Sequence, residues 1–207
     1  MIITYHGAQH VKLSLGDLTI AYNPVSKSSK SKVTKYGANI ALSSLDSDLY
    51  NGVGEVVHGS KEPFTVTGPG EYETQGVFIK GVGVETDFGG SKKINTIYTF
   101  TLDNMKVCLL GSLSKKLTAH ERELIDTVDI VFAADYQACG GLSTFDIYQT
   151  AQSLNPKIII PVGFDEKSLP LFLKEGGADK REYIEKLTIK RKDIDMKNGE
   201  VVPLMEV

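Results

Sequence analysis

The side chains of this sequence that could do chemistry are few, and most lie far apart. Its four histidines are His6, His10, His58 and His120, and only His6 and His10 are close enough to suggest shared coordination. They flank Gly7 between two β-prone runs. The helical i, i+4 geometry that sets two imidazoles on one metal therefore does not apply, and exposed loop positions are expected for both. Cys108 and Cys139 are widely separated and form no CxxC pair. They read as buried thiols of a reducing compartment rather than as a disulfide or a zinc clasp. There is no GxSxG elbow for an activated serine, no phosphate-cradling P-loop, no HExxH and no GxGxxG. Lys27, Lys30, Lys32 and Lys35 sit in a polar run that opens at Ser26. With no aromatic among them they read as a solvated loop, so nucleic acid is not an expected partner.

Composition narrows the class further. A chain of 207 residues fills one domain, taken here as residues 1–207. Against 23 Lys and Arg stand 26 Asp and Glu, a net charge of −3, so no global field draws the chain to nucleic acid or anionic lipid. Apolar stretches such as Ile158 to Val162 are strand-length, short of the ~20 residues that cross a bilayer, and no membrane association is expected. The opening MIITYHG has neither a basic region nor an apolar h-region, which points to the cytoplasm.

The elements that must position these residues are strands first and then an alternation. Ile2–Tyr5, Val11–Leu15 and Leu18–Tyr22 are short β-prone runs, the last two joined by a tight turn at Gly16-Asp17. Ile40 to Ser43, Phe64 to Thr67 and Val77 to Val84 follow, with a turn at Gly68-Pro69-Gly70 that leaves Glu71 and Glu73 facing water. Ile94–Leu102 and Met105–Leu110 form a hairpin around Asp103-Asn104. Thr118 to Glu121 is a capping box for a helix running through Ile125. A strand from Asp129 to Ala134, a helix from about Thr144 to Leu154 and a strand from Lys157 to Val162 come next. Ser168 caps a helix ending at Gly176-Gly177, and Leu187 to Lys190 and Val201 to Met205 read as closing strands. Many strands followed by β-α-β-α-β make a layered α/β plan.

The order of these segments, with several phrases, resembles one family. ITYHG, Tyr22-Asn23-Pro24, the run Ile40 to Leu49, Gly68-Pro69-Gly70-Glu71-Tyr72-Glu73, Asn95 to Tyr98, Val107 to Gly111 and Asn155 to Pro161 follow the pattern of the metallo-β-lactamase fold. The branch most resembled is that of small metal-dependent hydrolases related to the L-ascorbate-6-phosphate lactonase. The resemblance covers about residues 1 to 165. It implies a single-domain four-layer αβ/βα sandwich with its site at one edge.

Laid on the family's H-x-H-x-D-H metal motif, this chain has Ser44, Asp46, Asp48 and Leu49, and only the aspartate, Asp48, agrees. The bridging aspartate falls on Ser112 and the last histidine on Gly163, while Val84-Glu85-Thr86-Asp87 stands where a further histidine is expected. Serine hydroxyls are poor zinc donors, and leucine and glycine offer no side-chain donor at all. Without a metal nothing brings the pKa of a water from about 15.7 toward 7. The resemblance therefore implies a vestigial cleft of Ser44, Asp46, Asp48, Ser112 and Gly163, converging on one edge of the sandwich, with no catalytic residue, no metal and no cofactor. The expected function is a hydrolase-like but non-catalytic protein that binds a small molecule or a protein partner, its identity and the oligomeric state left open. The alternative is a divergent hydrolase of a lactone, ester or phosphodiester. It would use an oxygen-rich site at Asp46 and Asp48, with Glu85, Asp87 or Asp165 nearby.

Overall fold

The computed structural model describes residues 1–60, 62–136 and 140–207. Cys139 lies outside them. Two mixed sheets face each other. The first has six strands in the order β12-β1-β2-β3-β4-β5: β1 (Ile2–Tyr5), β2 (Val11–Leu15), β3 (Leu18–Tyr22), β4 (Ile40–Leu42), β5 (Phe64–Val66) and β12 (Lys186–Thr188). The second has seven in the order β13-β11-β10-β9-β8-β7-β6. Its strands are β6 (Gly70–Thr74), β7 (Val77–Phe88), β8 (Ser91–Leu102), β9 (Met105–Leu109), β10 (Ile130–Ala134), β11 (Ile158–Val162) and β13 (Glu200–Val201).

Period-2 patterning explains the layering. Ile3, Leu13, Ile20 and Leu42 of the first sheet meet Ile79, Phe100, Val107 and Phe132 of the second in one buried core. The other face of the second sheet packs Ile97, Cys108, Val131 and Ile159 against the helices α1 (Ala119–Ile125), α2 (Thr144–Gln152) and α3 (Ser168–Glu175). β10 and β11 are buried on both faces, which is why they read as unbroken apolar runs. The fourth layer is thin. The outer face of the first sheet is covered at Ala21 and Ala41 by Ala38, Tyr36 and the 3₁₀ turn Val53–Val56. The architecture is the mixed α/β sandwich expected from the sequence. No helix among the described residues is long and apolar enough to cross a membrane.

Local chemistry sets the ends of the elements. The Thr118 capping box forms as read, with Oγ1 accepting from Glu121 N at 3.2 Å and Glu121 Oε2 accepting from Thr118 N at 2.7 Å. Asp103 and Asn104 both take positive φ, the conformation of the two-residue turn that matches strand twist. Three readings are corrected. Ser168 is the first helical residue and not the cap; Asp165 Oδ1 accepts from Lys167 N at 2.9 Å and Ser168 N at 2.7 Å instead. β7 and β8 run on to Phe88 and back from Ser91, because buried Thr86 and Phe88 continue the alternation under the polar letters of Glu85 and Asp87. Beyond Val201 the closing strand breaks into isolated bridges, Ile184 with Leu204 and Tyr5 with Glu206.

The topology also fixes where a site can form. β3 and β4 are parallel, and so are β9, β10 and β11. Their carboxyl ends therefore open on a common edge, the usual place for ligands in sheets of this kind. Asn23, Ser43, Ser44, Ser112, Asp135 and Gly163 all lie just past those ends. Thr96 N donates to Ser44 O at 2.7 Å and Tyr98 Oη to Ser43 O at 2.9 Å, tying the two sheets together there.

Candidate functional site

At this edge a cleft of about 430 Å³ lies between the turn after β1, the loop after β4, the ends of β10 and β11, and the start of α3. Behind its wall runs a chain of neutral hydrogen bonds. Asn23 accepts from Ser44 N at 2.8 Å through Oδ1, and its Nδ2 donates to Ser44 Oγ at 2.9 Å and to Gln9 Oε1 at 3.2 Å. Gln9 Nε2 then donates to Ser112 Oγ at 3.0 Å, which is also hydrogen-bonded to Tyr50 Oη at 3.1 Å. Asn95 completes the floor, taking Ser112 N on Oδ1 at 3.0 Å and donating from Nδ2 to Leu110 O at 2.8 Å. All six residues are at most 1% exposed. Such a network is stable in low dielectric only because nearly every donor meets an acceptor.

Backbone geometry makes room for the amides. Gly111 has φ +66°, and a Cβ there would overlap Asn95 Oδ1. Gly163 has φ +74°, and a Cβ would come within 2.9 Å of Asp135 O and 3.2 Å of Gln9 Cγ. Glycine is thus favoured at both positions, of which Gly163 is the one the resemblance aligns with a histidine. Gly163 N is held by Tyr5 Oη at 3.1 Å, and burial first of all pushes the Tyr5 phenol up to about 12, so it stays neutral.

The structure brings Ser44, Ser112 and Gly163 together around Gln9. It does not bring Asp46 and Asp48 with them. Both side chains are exposed on the loop after β4. Asp46 Oδ1 accepts from Asn51 Nδ2 at 3.0 Å, and the main chain of Asp48 accepts from Ser26 N at 2.9 Å. Leu49 lines the cleft, and Glu85 and Asp87 face solvent at the tip of the β7–β8 hairpin. That tip closes one side, where Phe88 stacks on Tyr136 at 3.9 Å and meets Tyr50 edge-on at 5.7 Å.

Among the described residues no group of three or more His, Cys, Asp or Glu side chains is placed to hold a metal ion. The hydrogen-bonded network here is made of amides, hydroxyls and a phenol, with Asp135 the one buried carboxylate among the described lining residues, a donor set that does not fit zinc or a two-metal hydrolytic centre. Cys108 is buried on the helix side of the second sheet, and its burial pushes the thiol up to about 12, which leaves it unreactive.

His6 and His10 correct the expectation of exposed loop positions. His6 is 8% exposed and His10 is fully buried, their ring centroids 5.1 Å apart. His10 Nε2 is hydrogen-bonded to Tyr36 Oη at 2.8 Å and its Nδ1 has no partner. Burial, then the neighbouring His6, pushes His10 down to about 3, and burial also lowers His6. Sequence reasoning missed Gln9, Tyr50, Asn95, Asp135 and Tyr136 as site residues. For Tyr50 the available signal was position, next to Leu49; Gln9 and Asn95 lie beside or within phrases of the resemblance, while Asp135 and Tyr136 follow a strand that none of those phrases covers.

With the geometry in view, comparison with known proteins defines the class. Residues 2–163 match the family described as the beta-lactamase superfamily domain, and the chain belongs to that family. Its fold is that of metallo-β-lactamase-like hydrolases. A candidate zinc-dependent hydrolase of that superfamily from Thermotoga maritima superposes with a TM-score of 0.76 at 23% identity, covering 99% of each chain. A candidate metal-dependent hydrolase from Parabacteroides distasonis gives 0.68 at 14% identity, over 99% of this chain and 92% of that one. Igni18, a metallo hydrolase from Ignicoccus hospitalis, gives 0.62 at 11%, over 99% and 94%. No curated protein matches.

Two outcomes follow from the network and the histidines. Asn23→Ala removes three buried hydrogen bonds and strands Gln9 and Ser44, and should cost about 3 kcal/mol or more in urea unfolding. Asp46→Ala should change stability by less than about 0.5 kcal/mol. His10 is lowered from 6.5 to about 3, so the unfolded chain takes up its proton first as pH falls. Stability is therefore full above pH 6.5 and declines toward pH 3 by up to about 1.4 kcal/mol per pH unit. Unfolding free energy measured from pH 7 to 5 should fall, and more shallowly in His10→Gln.

Proposed function

We propose that this chain is a non-catalytic member of its family, its metal centre replaced by neutral hydrogen bonds and its cleft kept for binding a small molecule. One observation carries the reading. Ser44 and Ser112, which stand at metal-ligand positions of the resemblance, are joined through Asn23 and Gln9 by direct bonds of 2.9 to 3.2 Å. A divalent ion would have to displace those amides, and Asp135 is the one buried carboxylate among the described residues lining the cleft, too few donors for a hydrolytic metal centre. A metal-activated hydroxide then has no source in this cleft. The exposed lysines of the Ser26–Lys35 loop lack the aromatic platform of a single-strand binder, which favours a small molecule over nucleic acid as the partner. Kinship with the L-ascorbate-6-phosphate lactonase branch is part of the same proposal and rests on the shared phrases.

Thermal unfolding tests this without a substrate. A metal bound only by the folded state at a hundredfold excess over Kd adds about 2.7 kcal/mol, or roughly 5–10 °C for a domain of this size. The proposal predicts a change below about 1 °C between excess EDTA and excess Zn²⁺, Mn²⁺ or Mg²⁺, together with no metal-dependent hydrolysis of lactone, β-lactam or bis-p-nitrophenyl phosphate. A metal-dependent rate abolished by Asp46→Ala and Asp48→Ala would establish the divergent hydrolase in its place.

A further inference from the structure

The groove between α1 and α2 holds a pocket of about 400 Å³ that shares no lining residue with the edge cleft. Among the described residues that line it, the charged ones are Lys116 and Arg122, both cations. Lys116 is neutralised, its Nζ lying 2.7 Å from Asp146 Oδ1 and donating to Gln149 Oε1 at 2.7 Å. Arg122 is not. It is half-buried, and its Nη1 donates to Leu117 O at 2.8 Å, which holds the guanidinium beside another lining residue. On its other side Arg122 borders a groove lined by Glu123 and Asp126, and neither forms an ion pair with it. Asp126 is taken by Lys106 at 3.2 Å, and Glu123 is exposed. Hydrogen-bond accounting points the same way. Thr150 and Ser153 spend their hydroxyl protons on carbonyls of α2, at 2.8 and 2.7 Å. Left without a described acceptor are the other guanidinium N–H groups, the Gln149 amide N–H groups and the Tyr148 O–H, against the amide oxygen of Gln152.

We propose that this pocket binds a small organic oxyanion, a carboxylate or phosphate, with Arg122 as its anchor and the organic part against Leu117 and the Tyr148 ring. A guanidinium presents its donors as a planar fork that matches the paired oxygens of either group, and a charge-assisted bond of this kind is about twice as strong as a neutral one. Partial burial of the arginine strengthens the attraction further. A cationic ligand would set its charge against Arg122 with no carboxylate of the lining to offset it. The organic wall is firm: Leu117 is buried, and Tyr148 meets Phe172 of α3 edge-on at 5.7 Å. The volume is within the range of small-molecule sites. The inference goes beyond the reading of the edge cleft and does not depend on it.

The test titrates the whole chain, at about 0.15 M NaCl, with phenyl phosphate, benzoate and benzyl alcohol by ligand-observed NMR and calorimetry. One or both anions should bind at least about tenfold tighter than the alcohol, and the tighter of the two identifies the oxyanion. Arg122→Gln should weaken that anion about tenfold or more. Gln149→Glu, which adds a carboxylate to the lining, should weaken it severalfold. Lys186→Gln, on β12 of the other sheet, should leave it unchanged. Where Arg122→Gln does not fold, Gln149→Glu decides. Alcohol binding as tight as either anion, full affinity in the folded Arg122 and Gln149 variants, loss in Lys186→Gln, or no anion binding up to about 10 mM overturns the proposal. Such a failure leaves the non-catalytic reading standing, since that reading turns on the response to metal at the other site.

Discussion

The contact between Gln9 Nε2 and Ser112 Oγ, at 3.0 Å, joins the two sheets at the edge where their parallel strands end. Everything around it is arranged to keep that buried pair satisfied. Asn23 occupies the other end of the Gln9 amide, and Asn95 takes the Ser112 main chain. Gly111 and Gly163 leave the space that the two amides fill. Removing any one member leaves a donor or acceptor stranded away from water, and that costs more than the bond itself contributes. The network therefore behaves as a unit, at the edge where the parallel strands of both sheets end.

The consequence for function is electrostatic. A metal centre makes its cleft positive, suited to oxyanions and to polarising a carbonyl. Amides and hydroxyls supply no net charge, so this network by itself gives the edge no positive field. Fold sets where a site lies and side chains set what it does.

Much of the fold was legible because its signals are local. Alternation marked β1 to β3, unbroken apolar runs marked β10 and β11, and Thr118 with Glu121 announced α1. The end of β7 was hidden, since Thr86 and Phe88 are buried between charged letters and only the opposing strand reveals it. Among the site residues, Ser44, Ser112 and Gly163 could be placed because the resemblance supplied their positions. Gln9 and Tyr50 could not: amide and phenol side chains carry no spacing signature, and their partners lie 103 and 62 residues away. His6 and His10 were read as exposed because a short turn between strands usually faces water. Here Tyr36 and the carbonyl of Val207 cover it.

Diffraction at the zinc absorption edge, from crystals grown in excess Zn²⁺, addresses the central claim most directly. The account predicts no anomalous peak between Ser44 and Ser112, with the Gln9 and Asn23 amides still bonded across the gap. A peak there at substantial occupancy, with those amides turned aside to admit the ion, would contradict it.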